Sequence, residues 1–312
     1  MVSSLFMRGP IDIPQAFKQR YGPLVDDEKA FFASLIEPPV NSFRVNTLKA
    51  SSGEVIDRLE SYGIHLRHFL WYEDAFSVDA EVLSSTLERF LGTIYIQESA
   101  SMLPPLIMRD ELRRASTVLD TCAAPGSKAT QIAAIMHNRG CLVANDRSYR
   151  RIRALKFNLN KAGVINSIIT NFEIQAFPHV EFDVVLLDTP CSADGTVRKN
   201  PEVLERWSLE RIRGYSALQK DLITRAFDLV AEGGTLLYST CSLAPEENEL
   251  VVDHLLRHRP ATVQPIYLEN FVFGLPIDSW EGQTLSSGVS NTRRVWPHHN
   301  NTDGFFVAKI SK

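Results

Sequence analysis

Five short apolar runs, each closed by a polar residue, occupy the middle of this 312-residue chain. Residues 117–121, 141–145, 167–171, 182–188 and 235–240 are near-continuous stretches of this kind, the pattern of strands covered on both faces. Helical periodicity fills the gaps at 129–136, 147–161 and 209–230, and the last of these breaks at Glu232-Gly233-Gly234. Pro245, followed by Glu246, Glu247 and Asn248, reads as the start of a further helix through about residue 257. Beyond Pro260 the periodicity weakens: 266–291 reads as irregular loop, and 304–310 as a closing strand. Strands alternating with helices predict an α/β fold with a mostly parallel, doubly wound sheet.

Residues 1–105 have another texture. Helices are expected at 14–21 and 26–36, separated by Gly22-Pro23, then a strand at 43–48 and a helix at 52–62 ending at Gly63. The expected organisation is a small N-terminal α+β domain (1–105) before the larger α/β domain (106–312).

In open α/β sheets, ligands bind outside the carboxyl ends of the strands. Asp188-Thr189-Pro190-Cys191-Ser192 ends one apolar run and Ser239-Thr240-Cys241-Ser242 ends another, so both cysteines should emerge where chemistry happens. A single cysteine reads most simply as a small buried filler. Two at two strand ends, one beside Asp188, read as placed thiols. A third strand end leads into Cys122-Ala123-Ala124-Pro125-Gly126-Ser127-Lys128 and then a helix. Small residues there let a ligand approach the backbone, and the helix start offers unpaired N–H groups to a carboxylate or phosphate. Neither GxxxxGK[ST] nor GxGxxG is present. Asp146, twenty residues after Gly126, ends the next strand and suits ribose hydroxyls. A nucleoside ligand without a required pyrophosphate fits this set, and S-adenosylmethionine (AdoMet) is one. An ordinary βαβ turn is the plain alternative.

Two thiols and an acid match the demands of methyl transfer to carbon-5 of cytosine. That carbon is too weak a nucleophile until a thiolate adds to carbon-6. An acid near nitrogen-3 helps the addition, and elimination afterwards needs assistance.

Composition narrows the setting. The four cysteines form no CxxC pair, so neither a metal site nor a disulfide framework is expected. No apolar run approaches the roughly 18 residues of a membrane span, and the start lacks a sustained signal core; a cytosolic monomer is expected. The net charge of −4 does not itself suggest nucleic acid. Yet Arg147, Arg150, Arg151, Arg153, Lys156 and Lys161 fall in one stretch without an acid, which is either a solvated helix face or a phosphate contact.

DTCAAPGSK (120–128), the Asn-Asp pair at 145–146, LLDTPCSADGTVRKNP (186–201), YSTCSLAPEENE (238–249) and TDGFFVAKISK (302–312) together resemble the NSUN (Sun-type) RNA 5-methylcytosine methyltransferases. FRVNTLK (43–49) and YIQESASMLP (95–104) resemble that family's region before the catalytic domain, so the likeness covers nearly the whole chain. It implies a Rossmann-like AdoMet-dependent sheet, with Cys241 as nucleophile and Cys191 assisting product release. Asp188 would bind the base near nitrogen-3, with Lys128 beside it. Cys122, Ala123, Ala124, Pro125, Gly126, Ser127, Lys128, Asp146, Arg151 and Asp188 would surround the cofactor. The family usually has an acid near the adenine after the third strand; here Glu173 is the residue in reach of that role. RNA is the implied partner. The chain's size resembles compact archaeal tRNA enzymes, which favours tRNA over rRNA; a non-catalytic RNA-binding scaffold is the rival of another class.

Overall fold

The computed structural model describes residues 11–78 and 81–312. The opening stretch read above for a leader lies mostly outside them. Four strands, β1 (Asn41–Val45), β2 (Leu66–His68), β3 (Ala75–Val78) and β4 (Ile94–Ile96), form an antiparallel sheet in the order β2-β3-β1-β4. The helix Ser52–Ser61 covers it, presenting Val55 and Leu59 one turn apart to Phe43, Val45, Phe76 and Ile94. Ser51 and Glu54 close a reciprocal capping box at its start.

The second sheet has eight strands: β5 (Thr117–Asp120), β6 (Cys141–Asn145), β7 (Ser167–Thr170), β8 (Phe182–Asp188), β9 (Val230–Thr240), β10 (Thr262–Gln264), β13 (Arg293–Val295) and β14 (Phe305–Ser311), with a two-stranded hairpin, β11 (Ser279–Trp280) and β12 (Gln283–Thr284), standing apart. Its order is β10-β14-β9-β8-β5-β6-β7, with β13 alongside β14. β9, β8, β5, β6 and β7 run parallel, and β14 returns antiparallel to β9. Helices Ser127–Ile135, Tyr149–Ala162, Leu209–Asp228 and Glu249–His258 cover it, so the expected mostly parallel α/β sheet is what forms. No helix among the described residues is long and apolar enough to cross a membrane.

Three details depart from the sequence reading. First, β9 begins at Val230 and passes through Glu232-Gly233-Gly234 instead of starting after it. The register slips there against β8: Phe182 faces Val230 while Val184 faces Thr235. The glycines absorb this bulge, since Gly233 has φ +74° and a Cβ on Gly234 would lie 2.8 Å from the Asp183 carbonyl oxygen. Second, the helix expected from Pro245 starts only at Glu249, because residues 245–248 turn back to serve the strand ends described below. Third, 266–291 is irregular but contains the β11–β12 hairpin.

The helices Gln15–Tyr21 and Glu28–Ile36 do not lie on the N-terminal sheet. Phe17, Tyr21, Phe31 and Leu35 pack with Val197, Leu204, Leu243 and Trp296 behind the strand ends of the larger sheet. Asp26 strengthens this attachment by accepting hydrogen bonds from His298 and His299, each at 2.9 Å.

Candidate active site

The parallel pairing of β8 with β9 sets Asp188 opposite Ser239, so the two chain segments that follow leave the sheet side by side. Cys191 and Cys241 meet there, sulfur to sulfur at 3.0 Å, both as free thiols. The hydrogen bond to Cys241 pushes the Cys191 thiol well above its ordinary pKa, and burial and Glu247 add to the shift. Cys191 is therefore a neutral thiol at ordinary pH.

Asp188 is held from both sides. Ser239 Oγ donates to Oδ1 at 2.8 Å, and Lys128 Nζ reaches Oδ2 at 2.6 Å from the first turn of the Ser127–Ile135 helix. Burial disfavours the Lys128 ammonium, but the Asp188 carboxylate more than offsets this and raises its pKa. Phe305 lies 5.6 Å below the ammonium, giving it an aromatic face as a second support.

The cysteine loops owe their positions to a buried polar clamp. Glu247 Oε2 accepts from the Ser192 amide and from Gln219 Nε2, both at 2.9 Å, and Oε1 accepts from Ser242 Oγ at 2.9 Å. Ser192 and Ser242, the residues just after each cysteine, also touch through their hydroxyls at 3.2 Å. Gly195 donates its amide to the Cys241 carbonyl at 3.0 Å, and a Cβ there would sit 2.5 Å from the Gly304 carbonyl oxygen. Only glycine allows that approach.

Two cavities open at these strand ends. One, about 270 Å³, is bordered by Cys122, Ala124, Asp146, Arg151, Phe172 and Glu173. The other, about 440 Å³, is bordered by Lys128, Asp120, Glu98, Lys199, Asp303 and Phe305. Cys241, Asp188 and Thr189 border both, so the Cys241 thiol stands where the two spaces meet.

The Gly loop divides between them. Cys122 and Ala124 face both cavities, Ala123, Pro125 and Ser127 face the second, and Gly126 faces neither. Gly126 instead takes φ +112°, and a Cβ on it would lie 3.2 Å from Leu155, so it allows the loop to close on the next helix. Asp146 is only 2% exposed; it accepts from the Ala124 amide at 3.2 Å and the Ser148 amide at 2.9 Å, with Arg151 at 3.3 Å. It braces the loop as well as bordering the first cavity. Glu173 lies 3.9 Å from Arg147 with most of its carboxylate exposed to that cavity's rim. Enclosure by protein pushes the Cys122 thiol up to about 12, with Asp120, Asp188 and Asp146 adding to it, so Cys122 is a neutral wall.

Sequence reasoning passed over several bordering residues. Asp120 ends β5 just as Asp188 ends β8, and the strand-end rule that selected one also fits the other. Its carboxylate oxygens are buried without a hydrogen-bond partner, and burial, with Asp188 nearby, pushes it to about 7. Asp303 is likewise pushed to about 7 by burial and by Glu98. Both lie in chain stretches already quoted for their resemblance. Phe172, an exposed aromatic ring beside Glu173, had no periodic signal to mark it.

Comparison with known proteins identifies the family. Residues 108–311 match the family described as 16S rRNA methyltransferase RsmB/F, and residues 13–99 match the N-terminal domain of 16S rRNA methyltransferase RsmF. Ribosomal RNA small subunit methyltransferase F of Shewanella piezotolerans is 40% identical over 290 residues, 90% of this chain and 60% of that protein. The chain spans 58 to 65% of the length of the ribosomal relatives it matches first. The tRNA (cytosine(49)-C(5))-methyltransferase of Pyrococcus abyssi is 39% identical over 302 residues, 94% of each chain. A crystal structure of a methyltransferase homolog from Pyrococcus horikoshii superposes with a TM-score of 0.84 at 33% identity, over 97% of this chain and 96% of that one. The NSun6 structure from the same organism, at 22% identity and a TM-score of 0.80, shares the fold. With 204 of its 312 residues (108–311) inside one family match, this chain belongs to the RsmB/F (Sun-type) methyltransferase family.

Proposed function

We propose that this protein transfers a methyl group from AdoMet to carbon-5 of cytosine in RNA, with tRNA as the first substrate. The observation that carries the reading is the pair of cavities sharing Cys241 and Asp188. The first cavity, with Asp146 and Glu173 for hydroxyl and amino groups and Phe172 for an aromatic ring, suits the cofactor. When bound, it supplies an electrophilic methyl carbon. The second, with Lys128 and an Asp120 carboxyl pushed to about 7, so partly protonated at neutral pH, suits a polar heterocycle.

The residues then divide the work. Cys241 adds as thiolate to carbon-6, forming a C–S bond and moving electron density to carbon-5. Asp188, fixed by Lys128 and Ser239, holds the nitrogen-3 edge. After carbon-5 gains the methyl group, its proton goes to a base and the C–S bond to Cys241 breaks. Cys191, hydrogen-bonded to Cys241, assists that release. Residues 106–312 act as the catalytic domain in this reading, and the N-terminal domain (1–105) with the base-rich Tyr149–Ala162 helix holds the RNA. On that helix Arg150, Arg153 and Lys156 face solvent.

tRNA comes first because the relative named for it is 39% identical and is matched along 94% of its own length. Purified protein, AdoMet and either tRNA transcripts or 16S rRNA should give 5-methylcytosine in tRNA by bisulfite sequencing. Methylation confined to 16S rRNA would favour the ribosomal alternative, and none in either would leave the RNA-binding scaffold.

The cofactor side has its own test. Asp146→Ala removes an acceptor from the cavity and the brace of the loop together. AdoMet affinity by calorimetry is expected to fall roughly ten- to a hundredfold, or about 1.5–3 kcal/mol. An unchanged affinity rules Asp146 out as part of the cofactor site.

A further inference from the structure

Away from the strand ends, a third cavity of about 110 Å³ lies in the seam between the N-terminal sheet and the Tyr149–Ala162 helix. Arg44, Arg89 and Lys161 border it, with Tyr95 and Asn158. Among the described residues none of these three cations, nor the neighbouring Lys49, has a carboxylate within ion-pair distance. Arg44 is only 1% exposed. Its guanidinium donates to Gln97 Oε1 at 2.9 Å, to the Ser127 carbonyl at 3.0 Å and to Thr130 Oγ1, and stacks 5.1 Å from the Tyr95 ring, all neutral partners. A buried guanidinium without a carboxylate in contact is costly, and three further cations around it make the seam more so. Burial, together with Arg89 and Lys49, lowers the Lys161 pKa, which reports the crowding of like charges.

The walls of this cavity are fixed rather than loose. Asn46 donates its side-chain amide to both the Gly92 and the Ala162 carbonyl oxygens at 2.8 Å, stitching the two sides together. Gly92 has φ +75°, and a Cβ on it would lie 2.5 Å from the Lys161 carbonyl oxygen. Lys49 packs against Gly163 and donates to the Leu91 carbonyl at 2.8 Å. Asp74 acts on Arg44 only from beyond ion-pair distance, so in a chain of net charge −4 this rigid cluster of cations without a contacting carboxylate suits an anion.

Resting on the reading of RNA as substrate, we propose that the seam cavity seats a backbone phosphate of the bound RNA strand, with Arg89 and Lys161 as its outer contacts and Arg44 as its floor. Arg44 also holds the Ser127 carbonyl, at the start of the helix that carries Lys128. A phosphate seated there stands in fixed register with the reactive strand ends. Phe90, next to Arg89 and 77% exposed, offers a stacking face for an adjacent base, which a free phosphate ion would not use.

The test is the Arg89→Ala/Lys161→Ala double variant, measured by fluorescence anisotropy against an unmodified tRNA transcript at several salt concentrations. Binding should weaken roughly tenfold near 0.1 M salt, and the log–log salt slope should flatten by about one unit per residue removed. AdoMet affinity and circular dichroism should match the parent protein, and Phe90→Ala should weaken the transcript alone. Unchanged transcript binding and slope overturn the proposal. So does a double variant that loses affinity only for inorganic phosphate, since that marks a small-anion site. Because the readout is binding, it stands apart from methylation: a parent protein that binds transcript here but transfers no methyl group sinks the activity and leaves the seam site intact.

Discussion

Cys191→Ala, mixed with substrate RNA and AdoMet and run on a denaturing gel, is expected to give a slow-migrating protein–RNA species that Cys241→Ala does not. The two sulfurs sit 3.0 Å apart at adjacent strand ends, so either could in principle reach one base. What separates them is their surroundings. Cys241 borders both cavities with Asp188, and the second with Lys128 as well, while Cys191 borders only the first and is kept protonated. Without Cys241 no thiolate reaches carbon-6, and methyl transfer should fall at least about a thousandfold with no adduct. Without Cys191 addition and methylation should proceed, but release should stall and the C–S bond should survive denaturation. The reverse gel pattern would exchange the two roles, and the absence of adduct from both variants would count against covalent catalysis.

This site was readable in the sequence because an apolar run covered on both faces has one informative end. The runs before Asp188 and Thr240 fix where each strand stops, and parallel pairing then brings both ends to one edge of the sheet. The same logic misses elements too short to show a period. β2, β10 and β13 have three residues each. β13 also carries Arg294, which pattern reading places at the surface although it is 2% exposed and paired bidentately with Glu249. Arg44 and Arg198, both buried, mislead in the same way. Charge marks the surface only when nothing inside the protein can pair with it or accept its hydrogen bonds.

The largest misreading is also the most informative. Glu246 and Glu247 after Pro245 look like the acidic first turn of a helix, yet both are buried and the helix waits until Glu249. Glu246 pairs with Arg20 and binds the first helix, while Glu247 ties Ser192 to Ser242. A local propensity gave way to a tertiary hydrogen-bond network that the one-dimensional pattern does not carry.

That network makes Glu247 a positioning residue for both thiols, with a stability cost that can be anticipated. Glu247→Ala leaves the Ser192 amide, the Gln219 amide and the Ser242 hydroxyl without their acceptor inside the protein. Each buried unpaired group costs about 1–3 kcal/mol, so a loss of roughly 3–5 kcal/mol is expected after partial relaxation. Tm should drop by on the order of 5–10 °C. Glu247→Gln should behave differently. Its carbonyl still accepts from Ser192 and Gln219, and its amide donates to Ser242 Oγ, whose proton turns toward Ser192 Oγ. Burial and the nearby Asp194 push the Glu247 carboxyl to about 7, against 4.5 for an ordinary glutamate. The folded protein thus holds a proton that the unfolded chain releases, so stability is full below about pH 4.5 and declines as pH rises to about 7. Asp120 and Asp303 act in the same direction. Thermal melts from pH 5 to 8 should show a shallower decline for Glu247→Gln than for the parent protein, and above pH 7 the variant should melt higher. The Cys191–Cys241 chemistry should survive in Glu247→Gln and fail in Glu247→Ala, read as product and adduct on the same gel. Equal melting slopes for parent and Gln variant would mean that Glu247 is ionised in the folded protein, and full activity in Glu247→Ala would remove it from the positioning of the thiols.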